Sequence, residues 1–460
     1  MYVGEHAVQR ILLIAVAVFA TASAHSQGLS IAAFRADVTP PLGSPLCGGG
    51  VLPAQAINDP LSARGLILLP EGQQPIVLCA VDWVGIANSG HDAWREALAK
   101  AAGTDVSRVV VHTLHQHDAP FCDFATEELI DPQGLGGRTF NVPFARESIQ
   151  CTADAVAEAV KTPRAVTHVG VGQAEVQMVA SNRRVLGPDG KVAHVRWTAT
   201  KDPEVRAAPV GTVDPMAKAI SFWDGDTPVA VLTYYATHPQ SYYGQGMVSA
   251  DFVGMARTQL EEALPGVACI HFNGAGGNVT SGKWNDGSPE NRPVLAGRLA
   301  DGMRRAWEFT HRYPITGSSV EWVTKDVSLP PRAEITLDSE RARLADTALS
   351  DDERLHAARE VAWLQRLHEG HATTLWLLKL GPACVLHMPG ELFVEYQLMA
   401  QAFRPDLLVC MAAYGDYAPG YIGTSISYQE GGYETGLYVS RTAPEVEEVL
   451  VSAMRELLRF

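Results

Sequence analysis

Two patterns of apolar positions divide the chain. Short runs rich in β-branched residues predict buried strands, whereas longer segments with apolar residues every three or four positions predict helices. The predicted strands are 65–69, 76–84, 109–113, 166–171, 229–235, 268–272, 374–380, 383–388 and 407–412. The predicted helices are 91–101, 142–160, 253–263, 294–309, 337–367, 391–403 and 443–458. Because the two kinds of segment alternate through most of the chain, the sequence predicts an α/β fold.

The N-terminal segment has a different pattern. Arg10 precedes the apolar run 11–20, and the small residues 22–24 follow it. These features are typical of a bacterial secretory signal peptide over residues 1–24. We therefore expect a periplasmic or secreted protein with no transmembrane segment after cleavage. Transient contact with a membrane surface is compatible with this expectation.

The rest of the chain is predicted to form one domain, residues 25–460, because no internal repeat and no Pro/Ser-rich linker divides it. Loop insertions are expected at about 121–145 and 281–293. The composition, 47% hydrophobic and 19% charged, is that of a globular protein. A net charge of −15 argues against a nucleic-acid partner, because no basic surface would neutralise phosphates.

The cysteine pattern limits the metal chemistry. The chain has seven cysteines and no C-x-x-C pair, so a zinc site built from thiolates is not expected. Cys122 and Cys151 flank the first loop insertion and are the one candidate disulfide pair.

Three histidines stand at the end of one predicted strand. The run 109–113 leads into His115, His117 and Asp118, with His112 inside the run. Residues two apart on a strand point to the same face, so His115 and His117 are expected to converge and could bind one metal ion. The alternative is a cluster of surface histidines at a strand end.

Two later segments offer further ligands. His238 follows the predicted strand 229–235, and Asp251 is expected to cap the next helix. Glu391 follows Pro389-Gly390 and is expected in the first turn of a helix. There the helix dipole alone would explain a carboxylate, and a metal-ligand role is the other interpretation.

Two polar segments could contact a substrate. The glycine-rich turn 272–281 lacks the pattern of a phosphate-binding P-loop, and close backbone approach to a ligand or an oxyanion-binding nest remains open. The tract 414–434 holds five tyrosines among glycines, which favours either a substrate-facing surface or the packing of a long loop.

In this order, these segments resemble the zinc-dependent N-terminal catalytic domain of the neutral/alkaline (non-lysosomal) ceramidases. The resemblance covers about 31–440. The segments that carry it are 34–43 (FRADVTPPLG), 114–120 (LHQHDAP), 181–184 (SNRR), 232–251, 272–281, 389–391 (PGE) and 421–433. It implies mixed β-sheets flanked by helices and a secreted hydrolase that cleaves the amide bond of a small-molecule or lipid N-acyl substrate such as ceramide.

The resemblance also implies roles for individual residues. Zn²⁺ would be held by His115, His238, Glu391 and Tyr421. Arg183 and Tyr433 would hold the substrate or the developing oxyanion, and His117 would pass a proton to the leaving amine. Thr280 occupies the place of the family's nucleophile-like serine.

Three departures from the family pattern bear on the substrate. Besides Thr280, the family's serine and glycine after the second histidine are Asp118 and Ala119 here, and the chain ends without room for the family's C-terminal immunoglobulin-like domain. Two alternatives therefore stay open. One is a zinc hydrolase of another small amide or ester, and the other is a non-catalytic, metal-containing binding protein of the same fold.

Overall fold

The computed structural model describes Met1 and residues 28–459. The predicted signal peptide, 1–24, falls outside the described residues except for Met1. The described part of the chain has a mixed α/β fold, as the sequence predicts, with three larger sheets that meet at one place. None of its helices is long and apolar enough to cross a membrane.

Each of the three sheets ends in one pair of parallel strands, while its other neighbours are antiparallel. In spatial order the first sheet is Val109–Thr113, Ile76–Val81, Ser62–Pro70, Leu29–Asp37 and Arg164–Val166. The second sheet is Ala268–Asn273, Thr227–Tyr235, Met216–Asp224, His168–Glu175 and His311–Pro314. The third sheet is Val320–Val327, Thr373–Leu380, Ala383–His387 and Leu408–Ala412. The parallel strands are almost entirely buried, as their continuous apolar runs require.

The carboxyl ends of these parallel pairs meet. Thr113 N–H donates to the carbonyl of Tyr414 (2.9 Å), and Ala413 N–H donates to that of Asn273 (3.0 Å). The Asn273 side-chain amide donates in turn to the Leu114 carbonyl (3.3 Å). Backbone from all three sheets is therefore joined at one point, and the loops that leave the strands there come together.

Helices cover the outer faces of the sheets. The described α-helices are Asn88–Ala102, Phe124–Ile130, Val142–Ala159, Pro203–Ala207, Asp251–Ala263, Asn291–Glu308, Leu337–Ala345, Asp351–His368, Val394–Phe403, Ser425–Glu430 and Val446–Leu457. The single helix predicted over 337–367 is wrong, because the chain leaves the helix after Ala345 and starts a new one at Asp351. Ser350 and Glu353 form a reciprocal capping box there, which satisfies N–H groups at the new start.

Every predicted strand overlaps an observed one, and two of the longer strands that the pattern missed have polar outer positions. Leu29–Asp37 exposes alternate residues toward its end, and Val320–Val327 is buried only at its two ends. Both strands carry charges, so they lack an unbroken apolar run. The first predicted loop insertion contains the helix Phe124–Ile130. The candidate disulfide is not formed: the Cys122 thiol is buried, Cys151 is exposed on its helix, and both are free.

A buried ion pair links the first sheet to the helix Asp251–Ala263. The Asp82 carboxylate accepts two hydrogen bonds from Arg257 (2.7 and 2.8 Å) and two from the amide and hydroxyl of Ser62 (2.8 and 2.7 Å). Burial alone would raise the pKa of Asp82, but Arg257 outweighs it and lowers the pKa to about 2. Gln116 also donates to this carboxylate (3.1 Å), so the pair supports the histidine segment.

We expect Asp82→Asn to destabilise the protein by ~3–5 kcal/mol, because it leaves the Arg257 guanidinium buried without its counter-charge. Urea unfolding of both proteins measures the difference. Asp301→Asn is the matched control, because Asp301 pairs with two arginines on the half-exposed face of its helix. Its expected cost is below ~1 kcal/mol. Equal costs for the two variants would contradict the prediction.

Candidate metal centre and active-site cavity

His115 reaches the meeting point of the sheets through a turn rather than along a strand. The strand ends at Thr113, and His115 has a left-handed backbone with φ of 66°. Its N–H donates to the Trp83 carbonyl (2.9 Å), and its Nδ1 donates to the Val84 carbonyl (2.7 Å). The prediction that strand alternation brings His115 and His117 together is therefore wrong in its mechanism, although the two rings lie 4.7 Å apart.

His238 is held in the same manner by the second sheet. It lies beyond the strand Thr227–Tyr235, and its N–H donates to the Val279 carbonyl (3.0 Å). Its Nδ1 donates to the carbonyl of Gly276 (2.7 Å). In both histidines a backbone carbonyl accepts a hydrogen bond from Nδ1–H, so Nε2 is the nitrogen that faces the centre and that carries the lone pair for a ligand when the ring is neutral.

Glu391 and Tyr421 come from a small sheet of their own. The strands Glu391–Leu392 and Tyr421–Ile422 are parallel, and their first residues are direct partners in the register. The prediction that Glu391 lies in the first turn of a helix is wrong, because that helix begins only at Val394. Strand pairing places the carboxylate and the phenol side by side.

The four side chains meet at one point. Glu391 Oε2 lies 2.9 Å from His238 Nε2 and 3.2 Å from His115 Nε2, and Tyr421 OH lies 3.2 Å from His238 Nε2. Tetrahedral zinc with bonds of 2.0–2.2 Å separates its ligand atoms by about 3.4 Å, so these distances fit such a site. His115 Nε2 and Glu391 Oε2 are both buried without a hydrogen-bond partner. The donor set and its unpartnered atoms therefore fit a metal ion.

His117 forms an alternative group with the same two histidines. A ligand nitrogen of each of His115, His117 and His238 lies within 4.8 Å of the others. However, His117 Nε2 contacts the side-chain amide of Gln240, and its Nδ1 lies 3.1 Å from the His115 carbonyl. Burial lowers the pKa of His117 well below its usual value, so the ring is neutral at pH 7.

Electrostatics keep the Glu391 carboxylate charged inside the protein. Burial favours its neutral form, but His115 and His238 outweigh this and hold its pKa well below the usual range. Burial raises the pKa of Tyr421, and the guanidinium of Arg183 opposes this effect. Arg183 donates to the Tyr421 hydroxyl (2.8 Å) and lies 3.2 Å from Glu434 Oε1. A positive charge is thus fixed beside the phenol.

The centre opens into a cavity of about 760 Å³. His115, His117, Arg183, Glu391, Tyr421 and Tyr433 all line it. The Tyr433 ring lies 5.8 Å from the Tyr421 ring and packs edge-on against Trp197 (5.0 Å). Seven of the eight residues proposed from the sequence as metal-binding or catalytic thus lie at the cavity or directly behind it, where His238 is fully buried.

Thr280 is the eighth residue proposed from the sequence, and its side chain lies outside the cavity lining. Its backbone bridges to His238, and its hydroxyl donates to the Trp197 carbonyl (3.3 Å). It is fully buried and is not among the described residues that line the cavity. A catalytic role for Thr280 stays a prediction that this geometry does not favour.

Sequence reasoning missed two side chains that hold the site. Tyr417 donates a hydrogen bond to Glu391 Oε1, and its ring stacks on His115 (5.5 Å). Glu434, which is fully buried, pairs with Arg183 and with Arg184 (3.3 Å). Both lie in the tyrosine-rich tract, but nothing in its pattern distinguishes them from their neighbours. His112, on the far side, binds the Ala413 carbonyl (2.8 Å) and His387 (3.0 Å) away from the cavity.

Two local predictions need correction. Asp251 is not the cap of its helix, because Ala250 holds that position and the Asp251 carboxylate accepts a hydrogen bond from the Ser241 N–H (3.0 Å). The glycine-rich turn packs against protein backbone rather than forming an open nest. A Cβ on Gly276 would lie 2.7 Å from the Thr237 carbonyl oxygen, and one on Gly277 would lie 2.3 Å from that of Glu391.

We therefore expect Gly277→Ala to displace the Glu391 backbone and weaken metal binding by about 10–100-fold, the range found when the support of metal ligands is disturbed. Competition with a chromogenic zinc chelator measures this. Gly297→Ala is the control, because a Cβ there meets nothing within 4 Å on its helix. Equal zinc affinity in both variants and the unmodified protein would show that the turn does not position Glu391.

Comparisons with known proteins agree with this fold. No protein-family model matches the sequence, and no curated protein does. Among solved structures, the chain is similar to a ceramidase complexed with C2, with a TM-score of 0.67, 14% identity, and coverage of 94% of this chain and 75% of that one. It is also similar to the neutral ceramidase from Pseudomonas aeruginosa, with a TM-score of 0.68, 14% identity, and coverage of 94% and 74%. The chain shares the fold of these proteins.

Proposed function

We propose that this protein is a zinc-dependent hydrolase that cleaves the amide bond of an N-acyl substrate. The observation that carries the proposal is the convergence of His115, His238, Glu391 and Tyr421 at the wall of a large cavity. Two imidazoles, a carboxylate and a phenol are donors that suit zinc, and a catalytic site needs room for water or substrate beside them. The shared ceramidase fold supports an amide as the bond that is cleaved.

His115, His238, Glu391 and Tyr421 would hold the zinc ion, which would supply the Lewis acidity for attack of water on an amide carbonyl near neutral pH. Arg183 and Tyr433 face the cavity beside this point and would donate hydrogen bonds to the carbonyl oxygen as negative charge develops on it. Because Glu434 and Tyr421 fix the Arg183 guanidinium, it needs little rearrangement to do so. Neutral His117, whose ring lies 4.7 Å from that of His115, would carry a proton from the attacking water to the leaving amine.

Tyr417 and Gln240 complete the arrangement as positioning residues. The Tyr417 hydroxyl binds the carboxylate oxygen of Glu391 that does not face the histidines, so Oε2 is directed to the metal centre. Gln240 contacts His117 Nε2 and holds the ring toward the cavity. Aromatic rings of Trp197, Tyr243 and Tyr433 line the cavity and would exclude water from a bound acyl chain.

We further propose that residues 25–460 act as one secreted or periplasmic catalytic domain, with ceramide among its candidate substrates. The N-terminal apolar run 11–20 supports export.

The test is metal content and hydrolysis by the purified protein. Metal analysis is expected to give one zinc ion per chain, and a panel of ceramide, short N-acyl amides and matched esters is expected to show amide cleavage. Full zinc occupancy without hydrolysis of any amide would overturn the enzymatic proposal in favour of a metal-containing binding protein. Cleavage of the esters alone would contradict the assignment of the bond.

A further inference from the structure

The active-site cavity extends past the metal centre to a region around Arg359. The Tyr417 ring stacks on His115, the Phe121 ring lies 5.8 Å from Tyr417, and the Arg359 guanidinium lies 5.8 Å from the Phe121 ring. All four residues line the same cavity. The rings of Tyr417 and Phe121 thus lie between the guanidinium and the metal ligands, so a substrate that reaches both must extend along these rings.

Arg359 differs from the other cavity arginines in its charge balance. Arg183 is paired with Glu434, and Arg441 with Glu360 (3.0 Å). Within the described residues, no carboxylate lies within 4.0 Å of the Arg359 guanidinium. Asp123 acts on it only at longer range, and the Asp123 carboxylate already accepts hydrogen bonds from Asn88 (2.8 Å) and Thr126 (2.6 Å).

The protein nevertheless holds this guanidinium firmly. Arg359 Nη2 donates to the Gly48 carbonyl (2.6 Å), and Nε is buried without a hydrogen-bond partner. The neighbouring Cys47 thiol supplies no negative charge, because burial raises its pKa to about 12. A cation that is partly removed from water without a counter-charge destabilises the folded protein unless a ligand supplies one.

We propose that Arg359 binds an anionic oxygen group, a carboxylate or a phosphate, which the substrate carries several bonds from its scissile amide. The inference rests on the proposed amide hydrolysis and narrows its substrate class from uncharged lipid amides to amides that bear an acid group. The planar guanidinium presents paired N–H donors that match either oxyanion. The attraction between the two opposite charges would be strongest where water is excluded. Arg359 is then a specificity-determining residue.

Matched substrates test this. Short N-acyl amides that end in a carboxylate, in a phosphate, or in the methyl ester of the same carboxylate are compared in the unmodified protein, Arg359→Met and Arg359→Lys. We expect kcat/KM to be at least about 10-fold higher for one of the acids than for the ester, which is the effect of ~1.4 kcal/mol of binding. Arg359→Met should abolish this preference by raising KM for the acid alone, and Arg359→Lys should restore part of it.

Arg298→Met is the matched control, since Arg298 lies on the helix Asn291–Glu308, donates to the Met178 carbonyl and does not line the cavity. It should leave the preference unchanged. A preference for the ester, or an equal loss of activity on acid and ester in Arg359→Met, would overturn the inference.

Calorimetry with inorganic phosphate and with a short dicarboxylate separates this inference from the proposed function. Arg359-dependent binding of either anion without any amide hydrolysis would contradict the proposed function and leave the anion site standing. Hydrolysis of uncharged amides with no Arg359-dependent anion binding would contradict the anion site and leave the proposed function standing.

Discussion

Glu391→Gln is expected to remove the zinc ion and to lower amide hydrolysis by about 1,000-fold or more, which corresponds to ~4 kcal/mol of transition-state stabilisation. Glu391 Oε2 lies 3.2 Å from His115 Nε2 and 2.9 Å from His238 Nε2. An amide in its place carries no charge to balance Zn²⁺, and its NH₂ group is no ligand. Metal analysis and initial rates on the same preparation measure both effects.

The fold of this variant should persist, because Gln is close to Glu in size and can still bind the Tyr417 hydroxyl. Glu448→Gln, at an exposed position of the helix Val446–Leu457, is the matched control and should keep full zinc and full activity. A folded Glu391→Gln protein that retains stoichiometric zinc would show that Glu391 is not a ligand.

Arg183→Met is expected to separate catalysis from metal binding. Removal of one charged donor to the developing oxyanion should lower kcat by about 100–1,000-fold, the range seen when an oxyanion donor is deleted. Zinc content should stay near one per chain, because Arg183 hydrogen-bonds the phenol of Tyr421 but neither of the two histidine ligands nor the Glu391 carboxylate. Arg184 still neutralises Glu434 in this variant, so the protein should fold.

The kinetic pattern is the deciding readout. A fall in kcat with unchanged KM and partial recovery in Arg183→Lys would support a role in the transition state. A rise in KM alone would assign Arg183 to substrate binding instead, and a loss of zinc would make it a support of the metal site.

The sequence predicted the parallel edge strands well for a physical reason. Strands such as Val109–Thr113 are buried on both faces, so apolar residues follow one another without alternation, as in its three consecutive valines. Strands with one exposed face, such as Val320–Val327, interrupt that pattern with charged residues. The break after Ala345 was missed because Ala348 and Leu349 prolong the apolar spacing into it, and only the capping box of Ser350 and Glu353 marks where the second helix begins.

At the site, the identity of the side chains was predictable and their placement was not. His115 reaches the centre through a left-handed backbone, and Glu391 meets Tyr421 through a strand pair that joins segments 30 positions apart. Neither follows from local periodicity. Tyr417 and Glu434 act through contacts with residues distant in sequence, so their roles appear only once the chain is folded.

We propose that one zinc ion is held by His115, His238, Glu391 and Tyr421. The most direct measurement is an anomalous difference map from zinc-loaded crystals, with data collected on both sides of the zinc absorption edge. We expect one strong peak that lies about 2.0–2.2 Å from each of the two Nε2 atoms, from Glu391 Oε2 and from the Tyr421 oxygen. A peak bound instead by His115, His117 and His238, with Glu391 beyond bonding distance, or no peak at this point in fully loaded protein, would contradict it.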